Sequence, residues 1–143
     1  MAIDVDSNAR AAGVAGCALI GASLVGGVNS VATGVNTWAN AWTAEATLAA
    51  RWPMLRLQAA ATVAAVQRRR VVAMVGSGLL AATALVSGMP GFFDGQVGRA
   101  DLGTGHVVGQ ILFVTVAWAT VGIAIVRLRR LAQHRRTWPA EAR

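Results

Sequence analysis

The chain lacks lysine and tyrosine altogether, and has one cysteine and three prolines in 143 residues. Charged residues make up only 13%, against about 25% in an average soluble domain. Just six are acidic: Asp4, Asp6, Glu45, Asp94, Asp101 and Glu141. The lone Cys17 permits no internal disulfide and no cysteine metal cluster. It lies in an apolar run, where a free thiol behaves as a small hydrophobe. Residues 11–44 carry no formal charge at all. At 55% hydrophobic residues, the chain has too much apolar surface for a disordered segment and too little charge for an ordinary soluble domain.

What is present is a series of long apolar runs. They predict an all-α integral membrane protein, a four-helix transmembrane bundle with spans at about 10–33, 53–68, 71–89 and 105–127. Three spans plus an interfacial helix is the alternative, because the charge-free part of the second run, Leu57 to Gln67, is short. The N-terminal MAIDVDSNAR is acidic before Arg10, unlike the basic start of a secretory signal, so the first run reads as a retained span. The whole chain reads as a single membrane domain.

Residues 36–52 form an expected interfacial segment. Trp38, Trp42 and Trp52 fall at helical spacing with Glu45 and Ala49. Tryptophan favours the headgroup level, which makes these three, with Phe92 and Phe93, candidate interfacial anchors. A further stretch, Asn36, Arg51, Trp52 and Arg56, resembles the Asn…Arg-Trp…Arg run of anthrone-oxygenase-like membrane proteins. In those proteins the run precedes a final helix. Here two strong apolar runs follow it, so no residue role is carried over.

All thirteen basic residues are arginine. A basic chain suggests nucleic acid when it is soluble, but these arginines flank apolar runs and read as orientation signals. Six lie in the tail 128–143 and its threshold at Arg127, and only Arg99 lies between the last two runs. The C-terminus is therefore expected on the cytoplasmic side. The Ala-rich, Arg-only composition suggests a bacterial cytoplasmic membrane. Arg68, Arg69, Arg70, Arg127, Arg129, Arg130, Arg135 and Arg136 are candidate lipid or partner contacts.

Catalytic candidates are few. His106 opens the last run with Gln110 one turn on, and these two are the candidate cofactor-contacting pair, although no cofactor or metal is predicted. His134 is 28 residues away, about 40 Å along a helix, so the two histidines cannot share one metal or haem. Glu45, Asp94 and Asp101 fall on the same side as His106 in the four-span arrangement. Together they could supply an acid and a base, or simply a solvated rim.

Ala18, Ala22 and Gly26, and likewise Gly105 and Gly109, repeat every fourth residue. Such spacing lets helices approach closely, in the same bundle or with a partner. The leading expectation is a non-catalytic accessory or interaction subunit of a larger membrane complex. A membrane-embedded enzyme or ligand-binding protein around His106 comes second, and a small oligomeric transporter or pore third. The expected partners are the lipid bilayer and other membrane subunits or further copies, with no nucleic acid.

Overall fold

The first apolar run ends where the backbone turns left-handed. Gly34 has φ +73, a conformation open to glycine at no steric cost. Around it the amides of Gly34, Val35 and Asn36 donate to the carbonyls of Val31 and Ser30, at 2.9–3.0 Å. These bonds satisfy the last helical carbonyls. The computed structural model describes residues 5–43, 50–89 and 103–133. Among them are four helices: α1 (Val5–Ala32), α2 (Trp52–Ala65), α3 (Arg70–Gly88) and α4 (Thr104–Gln133).

The helices form an all-α four-helix packed bundle. α1 and α3 each pack against both α2 and α4, and barely touch one another across the diagonal. Contacts fix the directions. Gly13 lies against Val66 and Gly16 against Thr62, so α1 and α2 are antiparallel. Thr120 donates to the Ala15 carbonyl and Asn29 to that of Gly105, so α1 and α4 are antiparallel too. Gly76 against Ala64 and Ala65, with Gln58 bonded to Ser87, sets α2 against α3 in the same way. The arrangement is up-down-up-down.

Three helices, α1, α3 and α4, are long and apolar enough to cross a membrane. α2 is the exception. Its 14 residues extend about 21 Å at 1.5 Å per residue, short of a hydrocarbon core of about 30 Å. Pro53 lies in its first turn, where a missing amide hydrogen does no harm. The apolar run expected to continue to 68 stops being helical at Ala65, and residues 66–69 turn the chain into α3.

The interior is narrow because alanine dominates it. Ala12, Ala61, Ala65, Leu80 and Ala124 form one core cluster, drawn from all four helices. Leu19, Ala84, Phe113, Ala117 and Val121 form a second. Small side chains let the helices approach closely, so van der Waals contact rather than bulk fills the core. The buried stripe of α4 runs His106, Gln110, Phe113, Ala117, Thr120, Ala124, Arg127, Leu131. Its steps alternate four and three, the repeat of helices packed side by side at a shallow angle.

Residues 33–43 correct the sequence expectation of a helical tryptophan stripe. They form turns, not helix. The tryptophans nevertheless meet: ring centroids are 6.2 Å apart for Trp38 and Trp42, and 5.8 Å for Trp42 and Trp52. These are favourable separations for aromatic pairs. Gly27 leaves room on α1 for the Trp42 ring, which any β-carbon there would strike. The Trp42 carbonyl accepts the Trp52 amide at 3.1 Å, so the turn satisfies the first donor of α2.

Candidate functional site

The antiparallel order sorts the arginines. Of the nine described arginines, Arg10, Arg68, Arg69, Arg70, Arg127, Arg129 and Arg130 gather at one end of the bundle, where α1 and α3 begin and α2 and α4 finish. Arg51 and Arg56, at the start of α2, belong to the opposite end.

Two of the seven are structural. Arg127 is only 2% exposed. Its Nε crosses the diagonal from α4 and donates to the carbonyl of Ala65, the last residue of α2, at 2.8 Å. Arg70, at the start of α3, donates from Nη2 to the carbonyls of Leu131 and Ala132 near the end of α4. Each guanidinium sits at a helix C-terminus, where unsatisfied carbonyls and the helix dipole favour a cation. Sequence spacing placed Arg127 with the tail, as a contact for lipid or partner. It is instead buried inside the bundle. Arg68, Arg69, Arg129 and Arg130 are exposed, and Arg135 and Arg136 lie outside the described residues.

The opposite half of the bundle holds unusual buried polarity. His106 is 1% exposed, and Gln110, one turn on, is also buried. His106 lies in the first turn of α4, which Asn29 of α1 pins by donating to the Gly105 carbonyl at 3.1 Å. Its Nδ1 is buried with no hydrogen-bond partner, as are Ser23 Oγ, Trp42 Nε1 and Gln58 Oε1. The other end of the Gln58 amide is held, donating to Ser87 Oγ at 2.9 Å. Each buried polar atom left without a partner costs about 1–3 kcal/mol.

Sequence reasoning missed Gln58. The signal was there: it shares the buried face of α2 with Leu55, Ala61, Thr62 and Ala65. Glu45, Asp94 and Asp101, proposed to stand beside His106, lie outside the described residues, as do Phe92 and Phe93. Among the described residues, no group of three His, Cys, Asp or Glu side chains stands together as a metal site requires.

The small residues separate into different environments. Gly26 is buried, Ala22 half-buried against the second core cluster, and Ala18 exposed. Gly105 is exposed and Gly109 half-buried. The glycines also divide by what a side chain would meet. At Gly16 a β-carbon would collide with the Thr62 side chain, at Gly27 with Trp42 and at Gly76 with the α2 backbone. At Gly21, Gly78 and Gly122 it would meet nothing within 4 Å.

Comparison with protein-family models, curated proteins and solved structures finds no match. The chain is a small multi-span membrane protein in contact with the lipid bilayer, as its three long apolar helices imply.

Proposed function

We propose that the protein is a non-catalytic accessory subunit that associates through the outer faces of its long helices. The observation that carries this reading is the set of open glycines. Glycine inside a helix costs about 1 kcal/mol relative to alanine. At Gly16, Gly27 and Gly76 close packing within the chain offsets that cost. At Gly21, Gly78 and Gly122 nothing in the chain does, although all three lie inside long apolar helices. In membranes such positions are where a neighbouring helix approaches closely. The arginine-rich end would face the cytoplasm under the positive-inside rule, leaving both the start of α1 and the tail on that side.

The test is native mass spectrometry of the tagged full-length protein, extracted in mild detergent from its own membranes. Stoichiometric partner subunits are expected. Gly122→Leu should release them with no change in the fold, since a β-carbon at this exposed position meets nothing within 4 Å. A chain recovered alone, or a variant that keeps every partner, counts against the reading.

A second reading draws on a different observation: the buried, unpartnered Nδ1 of His106. It makes the chain a membrane-embedded binding protein that holds a small hydrogen-bonding ligand at the start of α4. Extra ligand mass is then expected on the wild-type protein and absent from His106→Ala. Equal masses for the two proteins, after correction for the substitution, would end it.

A further inference from the structure

The outer face where α2 meets α3 carries an open groove of about 660 Å³, within the range of about 300–1,000 Å³ usual for small-molecule sites. Ala59, Ala60, Val63 and Val72 line its apolar trough, and Gln67 and Arg69 stand at its rim. The trough exists because alanines occupy the α2 side. From Ala59 to Gln67 it extends about 12 Å along the axis, at about 1.5 Å per residue. It therefore runs from the arginine-rich end inward, along a surface whose α3 wall is a candidate membrane span.

The rim is positively charged, and among the described residues no acidic side chain stands beside it. Arg68 and Arg69 occupy the turn between the two helices, and both are exposed. Neither α2 nor α3 has an acidic residue in its first turn, and the sequence holds none between Glu45 and Asp94. Arg70 is already engaged at the end of α4, which leaves Arg69 as the cation at the mouth of the trough.

The geometry points to a binding site for one anionic phospholipid, its phosphate on Arg69 and an acyl chain along the alanine trough. An occupant must carry a negative head and an apolar tail on one molecule, ordered along the membrane normal. A guanidinium holds phosphate through paired charge-assisted hydrogen bonds, and basic recesses between membrane helices favour anionic headgroups. The site is independent of the accessory-subunit reading and would exist in a chain with no protein partner.

Lipid retention by the full chain in nanodiscs tests it, read by native mass spectrometry and thermal melting. One set of discs is phosphatidylcholine alone; the other includes phosphatidylglycerol. The wild type should retain one phosphatidylglycerol and melt higher in its presence. Arg69→Ala should weaken that retention by about tenfold, equivalent to about 1.4 kcal/mol. Ala60→Leu, which fills the trough and leaves the charge alone, should weaken it similarly. Both positions are exposed, so both variants should fold, and Arg129→Ala, an exposed arginine on α4, should retain the lipid as the wild type does.

Equal losses in Arg69→Ala and Arg129→Ala, with none in Ala60→Leu, would mean general surface charge and overturn the site. So would unchanged retention in all three variants. If inorganic phosphate in phosphatidylcholine discs raises the melting temperature as much as phosphatidylglycerol does, the trough plays no part and the site falls.

Discussion

An Arg127→Ala chain is expected to lose about 3 kcal/mol of stability, the lower end of what breaking a buried charged contact removes. Two opposing effects decide the sign. Removing a buried guanidinium relieves its desolvation, which favours the variant. Against that, the Ala65 carbonyl loses its donor, worth about 1–3 kcal/mol in apolar surroundings. The long stem of Arg127 also leaves an unfilled space between α4 and α2. The buried guanidinium already offsets part of its desolvation through its bond to Ala65, so the losses win. α2 magnifies the effect, since a helix of 14 residues is near the lower limit of intrinsic helix stability. Arg127→Met fills the space without donating and should lose about half as much. The comparison is made by reversible unfolding in mixed micelles, followed by circular dichroism. An alanine variant as stable as the wild type would show that the arginine holds nothing together.

Gly76→Ala is expected to be about as damaging, again roughly 3 kcal/mol, the upper part of the usual range for overpacking. A single methyl group there would overlap the backbone of Ala64 and Ala65. Backbone cannot rotate aside as a side chain can, so α2 and α3 must separate. Ala65 also carries the carbonyl that Arg127 holds, and separation disturbs both contacts together. Gly78→Ala, two residues further along the same helix, meets nothing within 4 Å. It should be neutral in the isolated chain, or stabilising by up to about 1 kcal/mol. The same chemical change thus has opposite signs within one helical turn. Thermal melting of the two purified variants reads the difference, and equal melting temperatures would contradict the packing of α2 on α3.

How far the sequence foretold this depended on the length of each signal. α1, α3 and α4 were legible because long charge-free runs leave no other stable place for their apolar surface. α2 was legible as a helix from Pro53 and its alanines, but eleven charge-free residues could not decide between a short span and a surface helix. The tryptophan stripe misled because spacing records which residues could share a helical face, not whether a helix forms. Gly34 and the polar residues Asn36, Thr37 and Asn40 favour turns, and the rings meet through tertiary packing instead. Arg127 was grouped with its charged neighbours. Its place in the four-three rhythm of Thr120, Ala124, Arg127 and Leu131, a periodicity of the sequence itself, marks it as interior. The pairing of His106 with Glu45, Asp94 and Asp101 rested on topology alone, and those acids lie outside the described residues.

The unequal lengths of the helices also shape the surrounding bilayer. α2 stops short at the arginine-rich end: Gly76, six residues into α3, already lies against its last residues, Ala64 and Ala65, and Arg127 reaches Ala65 from six residues before the end of α4. Its shortfall of about 9 Å against the hydrocarbon thickness therefore falls mainly at that end. At the opposite end, where Gln58 is bonded to Ser87 next to the last residue of α3, α2 begins with Trp52, paired with the ring of Trp42. Lipids beside the other three helices meet a surface of full thickness, while those beside α2 meet a step. A membrane accommodates such hydrophobic mismatch by thinning locally or by tilting the protein. The molecule thus has one thin side, and its neighbours in the bilayer, lipid or protein, encounter a sided object rather than a uniform cylinder.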